Sequence, residues 1–389
     1  MTLRVLHVIP SVAPCRGGPS KAVLQMVDAL NKLDTTTEVV ATNDACENIL
    51  DVELNKLTTF QKIPIRFFAR HSSKITSLRE FQYSNDFRQW LKKNIQQYDL
   101  IHVHAIFSFC SSYAMTLARS ENIPYIVRPI GQLENWSLQQ KSLKKKIYLT
   151  LWEQKNILHA GLVHFTSTSE KQQALNALAI KSSEVIPLGV NLPEIIPNAA
   201  KQLRAKFNLA SDSKIILYLS RIHKKKGLEQ LIKSFAQLKT DDTYLFIAGD
   251  GDKTYLNELI TLIDSLDIVK RVRWLGFVQQ QEKQLLLQGA NIYALTSHSE
   301  NFGISVLEAL AAGTPALVSK EVALSQNIAE AKIGYVCDNS IASITNNLNS
   351  ALGAPNNLGE DARRYASKNF QWSKIAQQLS EEYQKLILN

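Results

Sequence analysis

Glu300 and Glu308 stand in the stretch SHSENFGISVLEALAAGTPALVS, Ser297 to Ser319, on either side of a glycine-bearing turn. The run ending near Ser297 predicts a strand, and the small-residue run from Gly303 to about Ala312 predicts a helix. The amides of Asn301, Phe302, Gly303 and Ile304 then lie at a helix N-terminus, where four donors lack intrahelical partners. With the helix dipole they make a site fit for a diphosphate. A carboxylate does not favour phosphate, but it accepts hydrogen bonds from vicinal hydroxyls well. Two carboxylates flanking a phosphate site describe a ligand with a sugar at each end, as in a nucleoside diphosphate sugar. A lone pair at this spacing is ordinarily a loop charge and a helix charge. The strand, the turn and AAGTP, whose small residues permit close helix–sheet packing, favour a site here.

A second anion site is read in YLSRIHKKKGLEQLI, where Arg221 and Lys226 follow an apolar run and precede a helix, with Gly227 to relax the backbone. Arginine offers a planar fork to phosphate oxygens and lysine a movable point charge. In SVAPCRGGPSKAV, Gly17 and Gly18 let the backbone approach a ligand before a helix beginning near Pro19. The sequence has no G-x-G-x-x-G fingerprint, which counts against a dinucleotide dehydrogenase. In DLIHVHAIFSF, His102 and His104 lie two apart on a strand and face the same way. His104, nearer the strand's carboxyl end, is the site candidate and His102 is read as structural; no third metal ligand is evident at suitable spacing. Asp250 and Asp252 form a D-x-D pattern, read as a turn rather than a metal site. Ser167 and Glu170 have capping-box spacing.

These residues need elements to hold them. Apolar, β-branched runs alternate with helical-period segments along the whole chain, which predicts parallel sheets covered on both faces in the doubly wound style. Expected strands include Leu100–His104, Tyr125–Arg128, Lys214–Leu219, Tyr244–Ala248 and Val272–Gly276. Three prolines in VIPLGVNLPEIIPNAAKQ break both periodicities. They divide the 389 residues into an N-terminal Rossmann-like domain, 1–187, and a nucleotide-sugar-binding Rossmann-like domain, 188–371, with the terminal helix 372–389 packing back on the first. Ligands of such sheets bind outside the carboxyl ends of the strands, so a central cleft is expected there.

Composition narrows the classes further. With 45% hydrophobic and 20% charged residues the chain reads as soluble and globular, and MTLRVLHVIPSV reads as a first buried strand of a cytoplasmic protein rather than a signal peptide. The four scattered cysteines suggest neither a disulfide framework nor a zinc knuckle. A net charge of +9 suits an anionic partner. Part of it lies in KSLKKKIYLTLWEQKN, read first as a solvated face over a core-facing stripe of Leu143, Ile147, Leu151 and Trp152. The sharper alternative is a peripheral contact with anionic membrane at the inner face of the plasma membrane. No aromatic-rich basic groove or zinc-finger spacing supports nucleic acid as a partner.

Taken with GGPS, IHVHA, SRIHKKKGL, LFIAGDGD, WLGFV and SENFGISVLEALAAGTP, the chain resembles the family-4 retaining glycosyltransferases of the GT-B fold over nearly its whole length. That resemblance implies that Glu300 contacts donor-sugar hydroxyls and Glu308 the ribose. It implies that Arg221 and Lys226 hold the diphosphate and stabilise it as it leaves. His104 would sit beside the anomeric centre, Gly17 and Gly18 would line the donor site, and the segment near Val278 would meet the base. Transfer with retention and without a metal or other cofactor is implied, the leaving phosphate helping to deprotonate the acceptor. VRPIGQLENWSLQQKSLKKK resembles a subgroup that assembles surface polysaccharides, and the whole chain resembles the cyanobacterial glucosyltransferases of heterocyst envelope polysaccharide. UDP-glucose is therefore the expected donor, with GDP-mannose the alternative, and a glycan or lipid-linked glycan the expected acceptor. Arg128 and Pro129 stand where many relatives place a histidine. A GT-B sugar-nucleotide epimerase and a sugar-nucleotide-binding scaffold are the competing classes.

Overall fold

The computed structural model describes residues 2–73, 75–139, 142–278, 280–353 and 358–388. Contacts divide the chain into two units, Met1–Gly189 with Trp372–Asn389, and Val190–Gln371.

The first unit is built on an eight-stranded sheet. From one edge its strands are Ser183–Val185, Leu162–Phe165, Tyr125–Arg128, Leu100–His104, Leu3–Val8, Thr35–Thr42, Ile63–Phe68 and Leu57–Phe60. All neighbours are parallel except the last pair. The central strands are buried on both faces, as expected for a parallel sheet covered by helices. On one face Leu6, Ile101, Val103, Tyr125, Val127 and Phe165 form a core with Phe87, Leu91, Ala114 and Met115 of the helices Asn85–Asn94 and Phe109–Ser120. Alternation sends His7, His102, His104 and His164 to the opposite face. The terminal helix Trp372–Leu388 belongs to this unit: Tyr383 donates to or accepts from His102 Nδ1 at 2.7 Å, and Trp372 Nε1 donates to Gln25 at 3.3 Å.

The second unit carries six parallel strands in the order Val272–Gly276, Thr243–Ala248, Lys214–Leu219, Ile292–Leu295, Ala316–Ser319 and Gly334–Cys337. Both units are thus Rossmann-like α/β layers, as the sequence leads one to expect. Among the strands that escape the sequence pattern are Ile63–Phe68 and Gly334–Cys337. Ile63–Phe68 contains Pro64, a residue that argues against a central strand. Its pairing with Thr35–Thr42 begins only at Ile65, so the missing N–H falls outside that ladder. Gly334–Cys337 is a short strand on the far edge of its sheet.

Two expectations are corrected. Cys15 and Cys46 form a disulfide, with Cα atoms 6.4 Å apart across 31 residues of sequence. The turn Pro14–Arg16 and the two-residue strands Asp44–Ala45 and Asn48–Ile49 follow neighbouring parallel strands, and that adjacency is invisible in a cysteine count. The basic segment also turns the other way. Ile147, Leu151 and Trp152 are 51%, 62% and 53% exposed rather than core-facing. Five residues, Leu149–Glu153, adopt a π-helical turn between the helices Ser142–Tyr148 and Gln154–Leu158, which rotates the face. Glu153 and Asn156 go inward instead, where Glu153 accepts from Ser112 Oγ at 2.5 Å and from the Phe107 amide at 2.9 Å. Leu143 lies outside the described side chains.

Candidate active site

In the second unit, three strand-end loops hold the predicted residues and are stitched to one another. Ile292–Leu295 ends at Thr296, whose hydroxyl donates to the Gly227 carbonyl at 2.8 Å, while the His298 amide donates to the Lys225 carbonyl at 2.8 Å. Gly227 has φ 66°, and a Cβ there would lie 1.8 Å from the Thr296 carbonyl oxygen, so only glycine lets these loops meet. The Glu300 backbone is fixed from both directions: its amide donates to Glu321 at 3.0 Å and its carbonyl accepts from Ala323 at 3.1 Å. Between these anchored backbones Lys226 Nζ reaches the Glu300 carboxylate in an ion pair, both side chains less than one-fifth exposed. Arg221 is exposed, and among the described residues its side chain makes no ion pair. Its loop is sewn to Gly249–Gly251 by the Ile222 amide donating to Asp250 at 2.8 Å.

The helix after Glu300 runs Ile304–Ala312, with Gly303 as its N-cap at φ 89°. The Leu307 amide makes the first intrahelical bond, to the Gly303 carbonyl at 3.0 Å. The four amides without an intrahelical partner are thus those of Gly303, Ile304, Ser305 and Val306, which share Gly303 and Ile304 with the expected Asn301–Ile304 set. Phe302 is buried and contributes packing against Phe370, with ring centroids 6.2 Å apart. Glu308 lies one turn in, and Lys283 of the helix Gln280–Gly289 binds it, Nζ to Oε2 at 2.5 Å. Each carboxylate of the pair is therefore matched by a lysine. Tyr293 lies within electrostatic reach of both. Burial first, and then Glu300 and Glu308, push its phenol well above the usual range, and its hydroxyl is held by Ser305 at 2.7 Å and the Leu219 carbonyl at 3.0 Å.

Val278 is buried, so it offers backbone rather than side chain to a ligand, and the preceding Phe277 is 64% exposed. Asp252 caps the helix Lys253–Ser265 by accepting from the Tyr255 amide at 3.0 Å, and Asp250 accepts from the Gly251 amide at 2.8 Å. Both D-x-D carboxylates thus have turn work to do.

Gly17, Gly18 and His104 lie in the first unit. Gly17 has φ 81° and caps the helix Gly18–Leu30. The turn ahead of it is pinned by buried Asp44, which accepts from Arg16 Nε at 2.8 Å, Arg70 Nη1 at 2.5 Å and Gln82 Nε2 at 3.0 Å. His104 is fully buried, and its Nε2 pairs with His7 Nδ1 at 2.9 Å. The third histidine absent from the sequence reading is therefore His7, which the parallel register places opposite His102. Ring nitrogens of His7, His102 and His104 all lie within 4.8 Å of one another, close enough to share a metal ion. Arg128, however, acts on all three. Burial first and then charged neighbours hold His102 and His104 far below the usual imidazole range, and hold His7 at about 3. A cation would meet the same repulsion.

Lys283 beside Glu308 and His7 beside His104 are the partners of candidate residues that sequence reasoning misses. For Lys283 a signal existed, because it follows the strand end at WLGFV by only a few residues.

Two family models match this chain: Glycosyltransferase Family 4 over residues 16–194 and Glycosyl transferases group 1 over residues 200–370. Between them they take in most of both units, and the chain belongs to the family-4 glycosyltransferases of the GT-B fold. Alpha-monoglucosyldiacylglycerol synthase of Streptococcus pneumoniae is 28% identical over 61% of this chain and 55% of its own, so the match spans about half of that relative. Among solved structures, sucrose-phosphate synthase from Thermosynechococcus elongatus has a TM-score of 0.82 at 20% identity, covering 99% of each chain. Anabaena HepE in complex with UDP and glucose has a TM-score of 0.77 at 20% identity, covering 98% of this chain and 100% of that one. These two likenesses are of fold.

Proposed function

We propose that this glycosyltransferase moves a hexose with retention from a nucleotide-sugar donor, UDP-glucose, to a growing surface or envelope glycan. The observation that carries the reading is the pair of lysine-matched carboxylates, Glu300 with Lys226 and Glu308 with Lys283, set around the open end of the helix Ile304–Ala312. In this reading the open amides, Arg221 and Lys226 take the diphosphate, Glu308 the ribose and Glu300 the hexose. Lys226 exchanges its carboxylate for phosphate oxygens as the donor enters, and its charge offsets that of the leaving diphosphate without a metal ion. His104 keeps the contact with the transferred sugar that the family resemblance implies. A bound UDP and glucose in HepE supports the choice of donor by likeness of fold.

The acceptor reading draws on the exposed face of Ile147, Leu151 and Trp152, with Lys146 and Lys155 nearby in sequence, which suits a peripheral contact with anionic lipid. The lipid named for the S. pneumoniae relative supports a lipid-linked acceptor. Among the described residues no helix is long and apolar enough to cross a membrane.

The test is ligand-dependent melting followed by turnover. UDP-glucose should raise the melting temperature more than GDP-mannose, since a ligand that prefers the native state stabilises it. UDP should then be released only when glycan acceptor is added. A larger shift with GDP-mannose would make this a mannosyltransferase, and conversion of the donor without acceptor would make it an epimerase.

A further inference from the structure

Arg128 ends the strand Tyr125–Arg128 and lies in register with His104, the last residue of the adjacent parallel strand. It is 1% exposed, and Nε, Nη1 and Nη2 all lack a hydrogen-bond partner among the described residues. A guanidinium carries five N–H donors and no acceptor. Leaving them buried and unmatched carries the penalty of an unpaired buried charge. Folding alone gives no reason to keep it, since an apolar side chain of similar length would fill the same space.

The surrounding groups do not supply the missing acceptors. Glu170 is the acidic group that acts on Arg128, but its carboxylate accepts from the Gly131 amide at 2.6 Å, the Thr166 amide at 2.8 Å and the Thr166 hydroxyl at 2.9 Å. Tyr383 is bonded to His102. His104 Nδ1 and His7 Nε2 are themselves buried without partners. Unmatched polar atoms therefore gather toward the carboxyl ends of three neighbouring strands, the edge where open α/β sheets bind ligands.

The backbone leaving these strands is strained at the same place. Ala105 and Phe107, after His104, have φ 69° and 62°, and Ile130, two residues past Arg128, has φ 56°. A β-branched residue in the left-handed region is a genuine outlier, and such conformations are costly and cluster at ligand sites. Ala105 donates its amide to the Arg128 carbonyl at 2.9 Å, and the Ile106 amide between Ala105 and Phe107 donates to Gln132 Oε1 at 2.6 Å. The two loops are tied together around the arginine.

Resting on the transfer reading above, we propose that Arg128 and the neighbouring His104 form an oxyanion subsite of the first unit, which takes a carboxylate or phosphate group carried by the sugar acceptor. The planar fork fits two oxygens of either group, and a neutral imidazole adds a donor without adding charge. The acceptor is thus an acidic glycan or a phosphorylated one, not a neutral sugar.

The experiment compares wild type with Arg128→Met and Arg128→Lys, using glucuronate, inorganic phosphate and neutral glucose as probes in melting and calorimetric titrations. Wild type should be stabilised by glucuronate or phosphate and not by glucose, and the stronger of the two names the source of the anion. Arg128→Met should melt no lower than wild type without ligand, and should bind the anion about ten- to a hundredfold more weakly, as expected for a lost charged hydrogen bond. Arg128→Lys should retain part of the affinity. An Arg128→Met that melts lower or fails to fold makes the arginine structural and overturns the subsite. So does wild type that responds to neither anion, or equal anion binding in all three proteins. UDP-glucose titration runs in parallel: loss of donor binding in wild type sinks the donor assignment, while the anion result is read separately.

Discussion

Lys283 on one helix closes on Glu308 of the next, Nζ to Oε2 at 2.5 Å, with side chains 17% and 13% exposed. A carboxylate held this way is pre-aimed, and a carboxylate's two oxygens accept several hydrogen bonds. Replacing Glu308 with Ala should weaken UDP-glucose binding by about 1.5–3 kcal/mol, the cost of one charged hydrogen bond. Circular dichroism should be unchanged, and titration calorimetry should show the loss. An unaltered dissociation constant would remove the ribose assignment.

Lys226 and Arg221 separate binding from chemistry. Diphosphate charge is present in the bound donor and grows as the glycosidic bond breaks, so groups aimed at it should favour the transition state. Lys226→Ala should lower kcat more than it raises the donor KM, by on the order of 10²-fold if it acts like an oxyanion donor. Arg221→Lys should also be impaired, because an ammonium lacks the planar fork. Steady-state kinetics that show only a raised KM would reduce both residues to donor binding.

With two cationic side chains and open helix amides available to the diphosphate, transfer should survive excess EDTA. Activity lost to the chelator and restored by Mg²⁺ or Mn²⁺ would return Asp250 and Asp252 to consideration. Asp252 would then have to leave the Tyr255 amide it now caps.

The parts of this molecule legible in its sequence are those whose signal is local. Leu100–His104, Tyr125–Arg128, Lys214–Leu219 and Val272–Gly276 are short, largely apolar and β-branched or aromatic runs, and the structure places strands at those bounds. Glu300 lies in the turn and Glu308 in the helix Ile304–Ala312 that follows it, so their placement on one strand-turn-helix unit can be read from spacing. His7 is a different case. It meets His102 and His104 only because the first strand pairs beside Leu100–His104, and strand order is not written in any short window. The Cys15–Cys46 bond is hidden for the same reason. The basic helix misleads because hydrophobic periodicity assumes 3.6 residues per turn, and a π-turn at Leu149–Glu153 breaks that assumption.

The disulfide should contribute measurably. Closing a loop across 31 residues is worth roughly 3–4 kcal/mol on the chain-entropy account. Cys15→Ser with Cys46→Ser, or dithiothreitol on wild type, should lower the urea midpoint accordingly. Since Cys15 lies in the turn ahead of Gly17, donor affinity should be followed in the same samples. A midpoint indifferent to both treatments would mean that the bond adds nothing to the folded state.

Buried histidines should make stability fall on mild acidification. Burial, then Arg128, holds His7 and His164 at about 3, against 6.5 for a free imidazole. Below 6.5 the unfolded chain takes up protons that the native protein refuses, so native stability drops as pH falls from about 6.5 toward 3. Each such histidine removes about 1.4 kcal/mol per pH unit in that window, or roughly 2 kcal/mol by pH 5. His102 and His104 are shifted the same way. Glu153 and Glu170 oppose the trend, because burial raises their carboxyls and favours the native state as they protonate. A single-residue difference isolates the histidine contribution. His7→Gln keeps a polar group on the strand but cannot titrate, so its stability should fall less steeply between pH 7 and 5 than that of wild type. Denaturant melts at several pH values would give both slopes, and equal slopes would mean that His7 takes up its proton in the native protein at the same pH as in the unfolded chain.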